Sequence, residues 1–386
     1  MENTIKKEIA QVFKEMAAGL SSGNFGSRPR VGLTLIGSEH GEAELLRGAE
    51  LAQSMDPSIE VVVIGSPADT KLELVEAKDD KDCHAKMDAM LENGQLDAAV
   101  TMHYSFPIGV STVGRVVTPG FGRKMLVANT TGTADTDRNA AMLKNTISGI
   151  AVAKACGNAD PKVGILNIEG ARQLERSLNK LKDNGYAISF TESNRADGGV
   201  VMRGNDLLQG VPDIMVMDSL TGNVMMKLMS AFLTGGSYEG LGDGYGPGVG
   251  EGYDRIINII SRASGAPVIA GALSFAGACA KGKLLEKVNA EFAAAKQAGL
   301  QDILDSYAAA AESSKAEEEE VKAPPEKVVT ADIPGVEILD LEDAVRVLWK
   351  KGIYASSGMG CTGPIILVAP EDKETAVAAL KEAEYL

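Results

Sequence analysis

Val211-Pro-Asp-Ile-Met-Val-Met-Asp-Ser-Leu-Thr-Gly-Asn-Val-Met-Met-Lys-Leu-Met-Ser-Ala-Phe232 is the stretch on which the reading of this chain turns. Its first part, Asp213 to Met217, is a short apolar run between Pro212 and Asp218 and predicts a buried strand. Its second part places Val224, Leu228, Met229 and Phe232 on one helical face. Between them, Asp218-Ser-Leu-Thr-Gly-Asn223 reads as a tight loop that opens a helix. Gly222 permits close backbone approach, Thr221 or Asn223 can cap, and the first-turn N–H groups are left to hold an anion. Strand, small-residue loop and helix N-terminus recur as the phosphate pocket at the carboxyl edge of open α/β sheets. An ordinary strand-to-helix turn has the same spacing, so spacing alone leaves both readings open.

On either side of this stretch, short apolar runs alternate with helical ones. Val31–Ile36, Val61–Ile64, Ala98–Met102, Met125–Asn129, Lys162–Asn167, Ala187–Thr191 and Pro267–Ala270 predict strands. Residues 44–55, 83–93, 137–156 and 282–304 predict helices. The alternation implies right-handed βαβ units, a mainly parallel sheet and the α/β class. Gly235 to Gly250 is glycine-rich but lacks a Walker lysine, so it is no nucleotide P-loop. With a helical sequel over Glu251–Ala263, it reads as a lid or as a long surface connection. An acidic run at Glu317–Glu320 and the pair Pro324-Pro325 have the composition of a solvated linker, although Ala308–Ala311 could extend the preceding helix. The expected division is a domain over 1–310, an acidic linker over 311–327 and a compact module over 328–386. In that module, helices over 341–350 and 372–384 flank an apolar run, Pro364–Ala369.

Composition bounds the function classes. With 38 basic and 53 acidic residues the chain carries a formal charge of −15, and no basic run is concentrated enough to suit nucleic acid or an anionic membrane. Any anionic substrate must be held by local donors. No apolar run approaches the ~18 residues of a membrane span. The amphipathic start, with Ile5, Ile9, Val12, Phe13 and Met16 in one stripe, reads as a helix packed on the body or on a partner. Four cysteines in this length make no disulfide scaffold and point to a reducing, cytoplasmic setting. His40, His84 and His103 share no ligand spacing with each other or with cysteine, so no metal site is expected.

The wording of the opening stretch is more specific than its spacing. A strand ending in Asp218, then Thr221-Gly-Asn223, then an apolar helix with Lys227 resembles the phosphate acyltransferases of phospholipid synthesis and their phosphotransacetylase relatives. The resemblance extends through Ala153-Lys-Ala155, Pro161–Ile168 and Arg203-Gly-Asn-Asp-Leu-Leu208, with a weaker echo at Gly37-Ser-Glu-His-Gly41. It covers roughly residues 30 to 280. It implies a three-layer α/β/α phosphate-acyltransferase fold, of the isocitrate/isopropylmalate dehydrogenase-like kind, with the small α/β module appended. Thr101-Met-His-Tyr-Ser-Phe-Pro107 departs from the Gly/Asn-rich loop of those relatives.

The thiols narrow the resemblance further. Cys83 lies among acids that would raise its pKa. Cys156 ends a helix and reads as a small buried residue. Cys279 follows a predicted strand and could face the pocket. Cys361 stands in Tyr354-Ala-Ser-Ser-Gly-Met-Gly-Cys-Thr-Gly-Pro364, where small neighbours leave the sulfur accessible and N–H groups free for an oxyanion. A linked Gly-Met-Gly-Cys-Thr-Gly module resembles the alpha subunits of component C of the glycine/sarcosine/betaine reductase complex. That resemblance implies acyl transfer from a protein-bound acetyl thioester to inorganic phosphate, giving acetyl phosphate, as the last step of an amino-acid fermentation. It implies Cys361 as the catalytic thiol and phosphate seated at Ser219, Thr221, Gly222 and Asn223. Arg203, Lys227, Arg255 and Cys279 are supporting candidates, and no bound cofactor is expected. The implied partners are a thiolase-like beta subunit of component C and selenoprotein component A, in a hetero-oligomer. Two rival readings are a coenzyme A-dependent phosphate acetyltransferase and a non-catalytic assembly subunit.

Overall fold

The computed structural model describes residues 12–13, 16–17, 19–20, 28–195, 198–316, 321–337, 340–360 and 363–386. It divides into two units, Met1–Leu166 with Glu175–Ile303, and Asn167–Leu174 with Leu304–Leu386.

The order along the chain, which the first unit follows as far as α8, is β1 (Arg30–Thr34), α1 (Glu42–Met55), β2 (Glu60–Gly65), β3 (Glu73–Glu76), α2 (Asp80–Glu92), β4 (Ala98–Thr101), β5 (Val110–Val117) and β6 (Lys124–Thr133). Then come α3 (Arg138–Ala155), β7 (Lys162–Leu166), α4 (Ala171–Asp183), β8 (Ser189–Phe190), β9 (Val201–Met202), α5 (Gly204–Gln209), β10 (Ile214–Val216) and α6 (Ser219–Ala231). It closes with β11 (Gly246–Val249), β12 (Ile257–Ile259), α7 (Ala266–Lys281) and α8 (Leu284–Gln297). The strands form one sheet in the order β3-β2-β1-β4-β12-β11-β5-β6-β10-β7-β8, with β9 also on β7. Pairing is parallel except where β5 meets β6 and where β11 meets β5 and β12. On one face, α2 buries Met87 and Met90 against Val62, Ile64, Ala99 and Ile257. The buried helix α7 covers the β1 side, with Gly277 against Ile59 and Val31, and Gly48 of α1 lies against Ile269. Helices on both faces give three layers, as the sequence predicts.

Several expectations need correction. Pro267–Ala270 is the first turn of α7, with Pro267 in the position that needs no N–H donor, and the strand of this region is Ile257–Ile259. The two were exchanged because α7 is apolar on all sides, so four of its residues look like a buried strand. The glycine-rich stretch is no lid. Glu239, Gly240, Asp243 and Tyr245 bond through their backbones to Ala263, Ser230, Arg115 and Ile259, and the stretch then enters the sheet as β11. Val12, Phe13 and Met16 are helical and exposed, so this part of the N-terminal stripe is not packed on the body; Ile5 and Ile9 lie outside the described residues. Among the described residues no single helix is long and apolar enough to cross a membrane.

Helix α9 (Leu300–Ala316), which belongs to the second unit from Leu304 onward, carries the Ala-rich segment as helix beyond residue 310, and Glu317–Glu320 lie outside the described residues. Then follow β13 (Ala331–Pro334), α10 (Leu341–Lys350), β14 (Ala355–Gly360), β15 (Gly363–Val368) and α11 (Lys373–Glu382). The three strands form an antiparallel sheet in the order β13-β15-β14. Ile333, Val345, Leu348, Ile366, Val368 and Leu380 make its separate core. The β14–β15 ladder runs from Ala355↔Val368 to Gly360↔Gly363. Cys361 and Thr362 stand between the last pair and lie outside the described residues.

Candidate active site

Helix α6 begins where β10 ends, at the carboxyl edge of the sheet. Its N-cap is Asp218, whose Oδ1 accepts from the Leu220 and Thr221 N–H groups at 3.0 Å each. Oδ2 accepts from the Thr221 hydroxyl at 2.6 Å and from Arg138 at 3.2 Å. Burial works to raise the pKa of Asp218, but Thr221 and Arg138 outweigh it and hold the carboxyl below its ordinary value. The helix end therefore carries its own anion.

This changes the expected phosphate seat. Thr221-Gly-Asn223 is not a loop but the first turns of α6, and the Gly222 N–H bonds to the Asp218 carbonyl at 2.9 Å. Gly222 is required by packing instead, since a Cβ there would stand 1.7 Å from the Asn129 carbonyl oxygen on β6. That close seating turns Gly222, Met226 and Met229 inward and leaves Val224, Leu228 and Phe232 exposed, so of the four residues expected on the buried face Met229 alone is buried. The four proposed phosphate residues diverge. Ser219 borders one cavity, Asn223 borders another, Thr221 is held by Asp218, and Gly222 is packed away.

The first cavity, of about 410 Å³, is bordered by Asn223 and Lys227 of α6, His103 after β4, Tyr245 before β11, and Ser261 and Arg262 after β12. Ile259, Ile260 and Met102 give it an apolar side. Lys227 Nζ lies 4.0 Å from Glu239 and 5.6 Å above the Tyr245 ring. Arg262 Nε lies 3.8 Å from Glu39. Both cations are more than half exposed and only loosely paired, so their N–H groups can turn to an incoming anion. The Asn223 amide donates to the Thr130 carbonyl at 3.0 Å, which fixes its side chain at the rim.

The second cavity, of about 280 Å³, lies by Asp135, Arg138, Met142, Asn145, Asp218 and Ser219. Its charges are closed on each other, with Lys144 at 2.5 Å from Asp135 and Arg138 on Asp218. A third space, of about 420 Å³, shares His103 with the first and is lined by His84, Asp88, Tyr104 and Ser105. The divergent segment after β4 lines one side of it and α2 the other.

Of the supporting candidates, Lys227 alone borders the first cavity. Arg255 is paired with Asp88 at 2.9 Å, and Arg203 lies at the start of α5, on the wall of none of these cavities. Arg262, Glu39, Glu239 and Tyr245 escaped the sequence reading. Arg262 was recoverable, because it follows a strand at the carboxyl edge once β12 is recognised.

The described cysteines stay out of all three cavities. Cys83 is buried against the Ile64 carbonyl, and burial followed by Asp80 and Asp82 pushes its thiol up to about 11. Cys279 is fully buried and points to Cys156, which keeps its thiol protonated. Cys156 accepts that hydrogen bond, and with Arg115 at 4.0 Å its pKa falls despite burial. Among the described residues no cluster of three or more His, Cys, Asp or Glu could hold a metal ion.

Residues 29–367 match the family described as fatty acid synthesis protein. The chain is 53% identical over 379 residues to the glycine/sarcosine/betaine reductase complex component C subunit alpha of Peptoclostridium acidaminophilum, spanning 98% of each. It is 25% identical over 239 residues to a phosphate acyltransferase of Thermotoga petrophila, spanning 52% of this chain and 68% of that protein. A solved structure similar to it is a branched-chain phosphotransacylase from Enterococcus faecalis V583, with 18% identity, 65% of this chain and 99% of that one covered, and a TM-score of 0.47.

Proposed function

The chain belongs to the fatty acid synthesis protein family and to that of the component C alpha subunits of glycine/sarcosine/betaine reductase, and from that premise we propose that it transfers an acetyl group from a protein-bound thioester to inorganic phosphate. The observation that carries this reading is the first cavity: two cations, Lys227 and Arg262, neither in a short ion pair, line it beside an apolar wall. Lys227 and Arg262 hold hydrogen phosphate, with Asn223 at the rim in place of the N–H seat expected from the sequence. A phosphate oxygen attacks the thioester carbonyl carbon, the tetrahedral intermediate collapses, and the C–S bond breaks. The sulfur leaves as thiolate, takes up the proton of the hydrogen phosphate, and acetyl phosphate departs. The reaction asks the protein for positioning and charge rather than for a resident nucleophile in the cavity, and none of the described cysteines lies there.

Cys361 is the proposed carrier of the acetyl group. The same reading assigns a thiolase-like beta subunit and a selenoprotein component A as partners in a cytoplasmic hetero-oligomer, with phosphate as substrate and no bound cofactor, nucleic acid or membrane. The test is acetyl phosphate formation by the reconstituted complex, with mass spectrometry of protein trapped without phosphate. Wild type should carry an acetyl adduct on Cys361, and Cys361→Ala should make no product while keeping its fold. Normal turnover by Cys361→Ala sinks the carrier. Turnover of acetyl-coenzyme A by the isolated chain would replace the protein thioester with a soluble one.

A further inference from the structure

Glu239 is 3% exposed, although Gly235 to Tyr238 just before it are exposed. Its carboxylate accepts from the Tyr245 hydroxyl at 3.0 Å on one oxygen and from the Ser264 hydroxyl at 3.1 Å on the other. Its backbone is pinned as well: its N–H donates to Ala263, and its carbonyl accepts from Gly265. Glu239 is thus bound to the segment after β12 that supplies Ser261 and Arg262 to the first cavity. Its remaining reach is toward Lys227, 4.0 Å away on the opposite element, α6.

That separation is too long for a direct hydrogen bond and short enough for strong attraction in a half-buried setting. The ammonium therefore keeps its hydrogens for a ligand while the carboxylate fixes where it stands. The Tyr245 ring, below the same nitrogen, adds a second restraint of the cation–π kind. A lysine side chain has four rotors, and this one is more than half exposed, so without these restraints it spreads over many rotamers. The carboxylate also repels an incoming anion, but its two oxygens already accept two hydroxyls, which draws down its field at the ligand.

We infer that Glu239 is a positioning residue that holds Lys227 in place for the phosphate and ties the two cavity walls together; this rests on the phosphate reading above. The experiment is a double-mutant cycle of Glu239→Gln and Lys227→Met in the full reconstituted complex, with KM for phosphate and kcat measured separately. Lys227→Met should raise KM for phosphate at least about tenfold, and Glu239→Gln about fivefold with kcat within about twofold. The double variant should match Lys227→Met, because a positioner has nothing left to position. Effects that multiply, or a Glu239→Gln variant with unchanged or lowered KM, overturn the inference and leave the phosphate seat standing. If Lys227→Met itself leaves KM unchanged, the phosphate reading falls and the inference with it. Should the Gln variant not fold, Glu239→Asp keeps the charge but withdraws it by one methylene, and the same split of KM from kcat is expected.

Discussion

The cavity at Lys227 and the cavity at Asp218 flank the same helix and contain the same kinds of side chain, yet their charges are arranged in opposite ways. Around Asp218 every charge is closed: two N–H groups, a hydroxyl and Arg138 meet its carboxylate, and Lys144 meets Asp135. In the Lys227 cavity the ion pairs stand at 4.0 and 3.8 Å, and both cationic side chains are more than half exposed. A helix N-terminus offers an anion site only while its first-turn donors are vacant. In this chain Asp218 fills those of Leu220 and Thr221, and the proposed phosphate seat falls to side chains further along the helix.

The comparison can be broken first through the seat of the helix. Gly222→Ala places a methyl group 1.7 Å from a backbone oxygen and should cost more than ~3 kcal/mol, collapsing both cavities together. Thermal unfolding measures it, and a midpoint equal to wild type would mean that α6 does not sit on β6 this closely. Next comes Lys227→Met, which should lower kcat/KM for phosphate by ~10–100-fold with little change in stability. Asp218→Ala should cost ~1–2 kcal/mol through the lost cap. Because the folded carboxyl is held below its ordinary value of 3.8, its contribution is present above that value and lost as pH falls through the lower, folded one. Acid unfolding of Asp218→Ala should therefore lack this component, while equal acid profiles would deny Asp218 its role. The smallest effect is expected for Arg138→Met, under ~0.5 kcal/mol, with phosphate saturation within about twofold of wild type. A large loss of phosphate use there would reverse the comparison and move the anion to the Asp218 side.

Much of the fold was legible because parallel strands buried on both faces read as plain apolar runs, as at Val61–Ile64 and Asp213–Met217. The exchange of β12 for the start of α7 shows where that rule fails, since a helix buried all round has no polar face to betray its period. The motif Thr221-Gly-Asn223 lies at the start of α6, where Gly222 has another purpose than the one expected. Gly222 looked like a ligand contact and is a helix-to-strand contact, a distinction set by a neighbour, Asn129, that is far away in sequence. Glu39, Glu239 and Arg262 come together only through tertiary structure, and each alone reads as an ordinary surface charge.

The strand order has a consequence for how the protein comes into being. The outer edge of β4 finds its neighbour in β12, and β12 reaches β5 only through β11. During synthesis the first four strands therefore wait with an open edge while most of the second half-sheet is made, an arrangement of high contact order that favours slow closure. Such an edge also invites pairing with another chain until it is covered. The same late strand brings Ser261 and Arg262 to the Lys227 cavity, so the newborn chain completes the lining of that cavity in the step that seals its sheet.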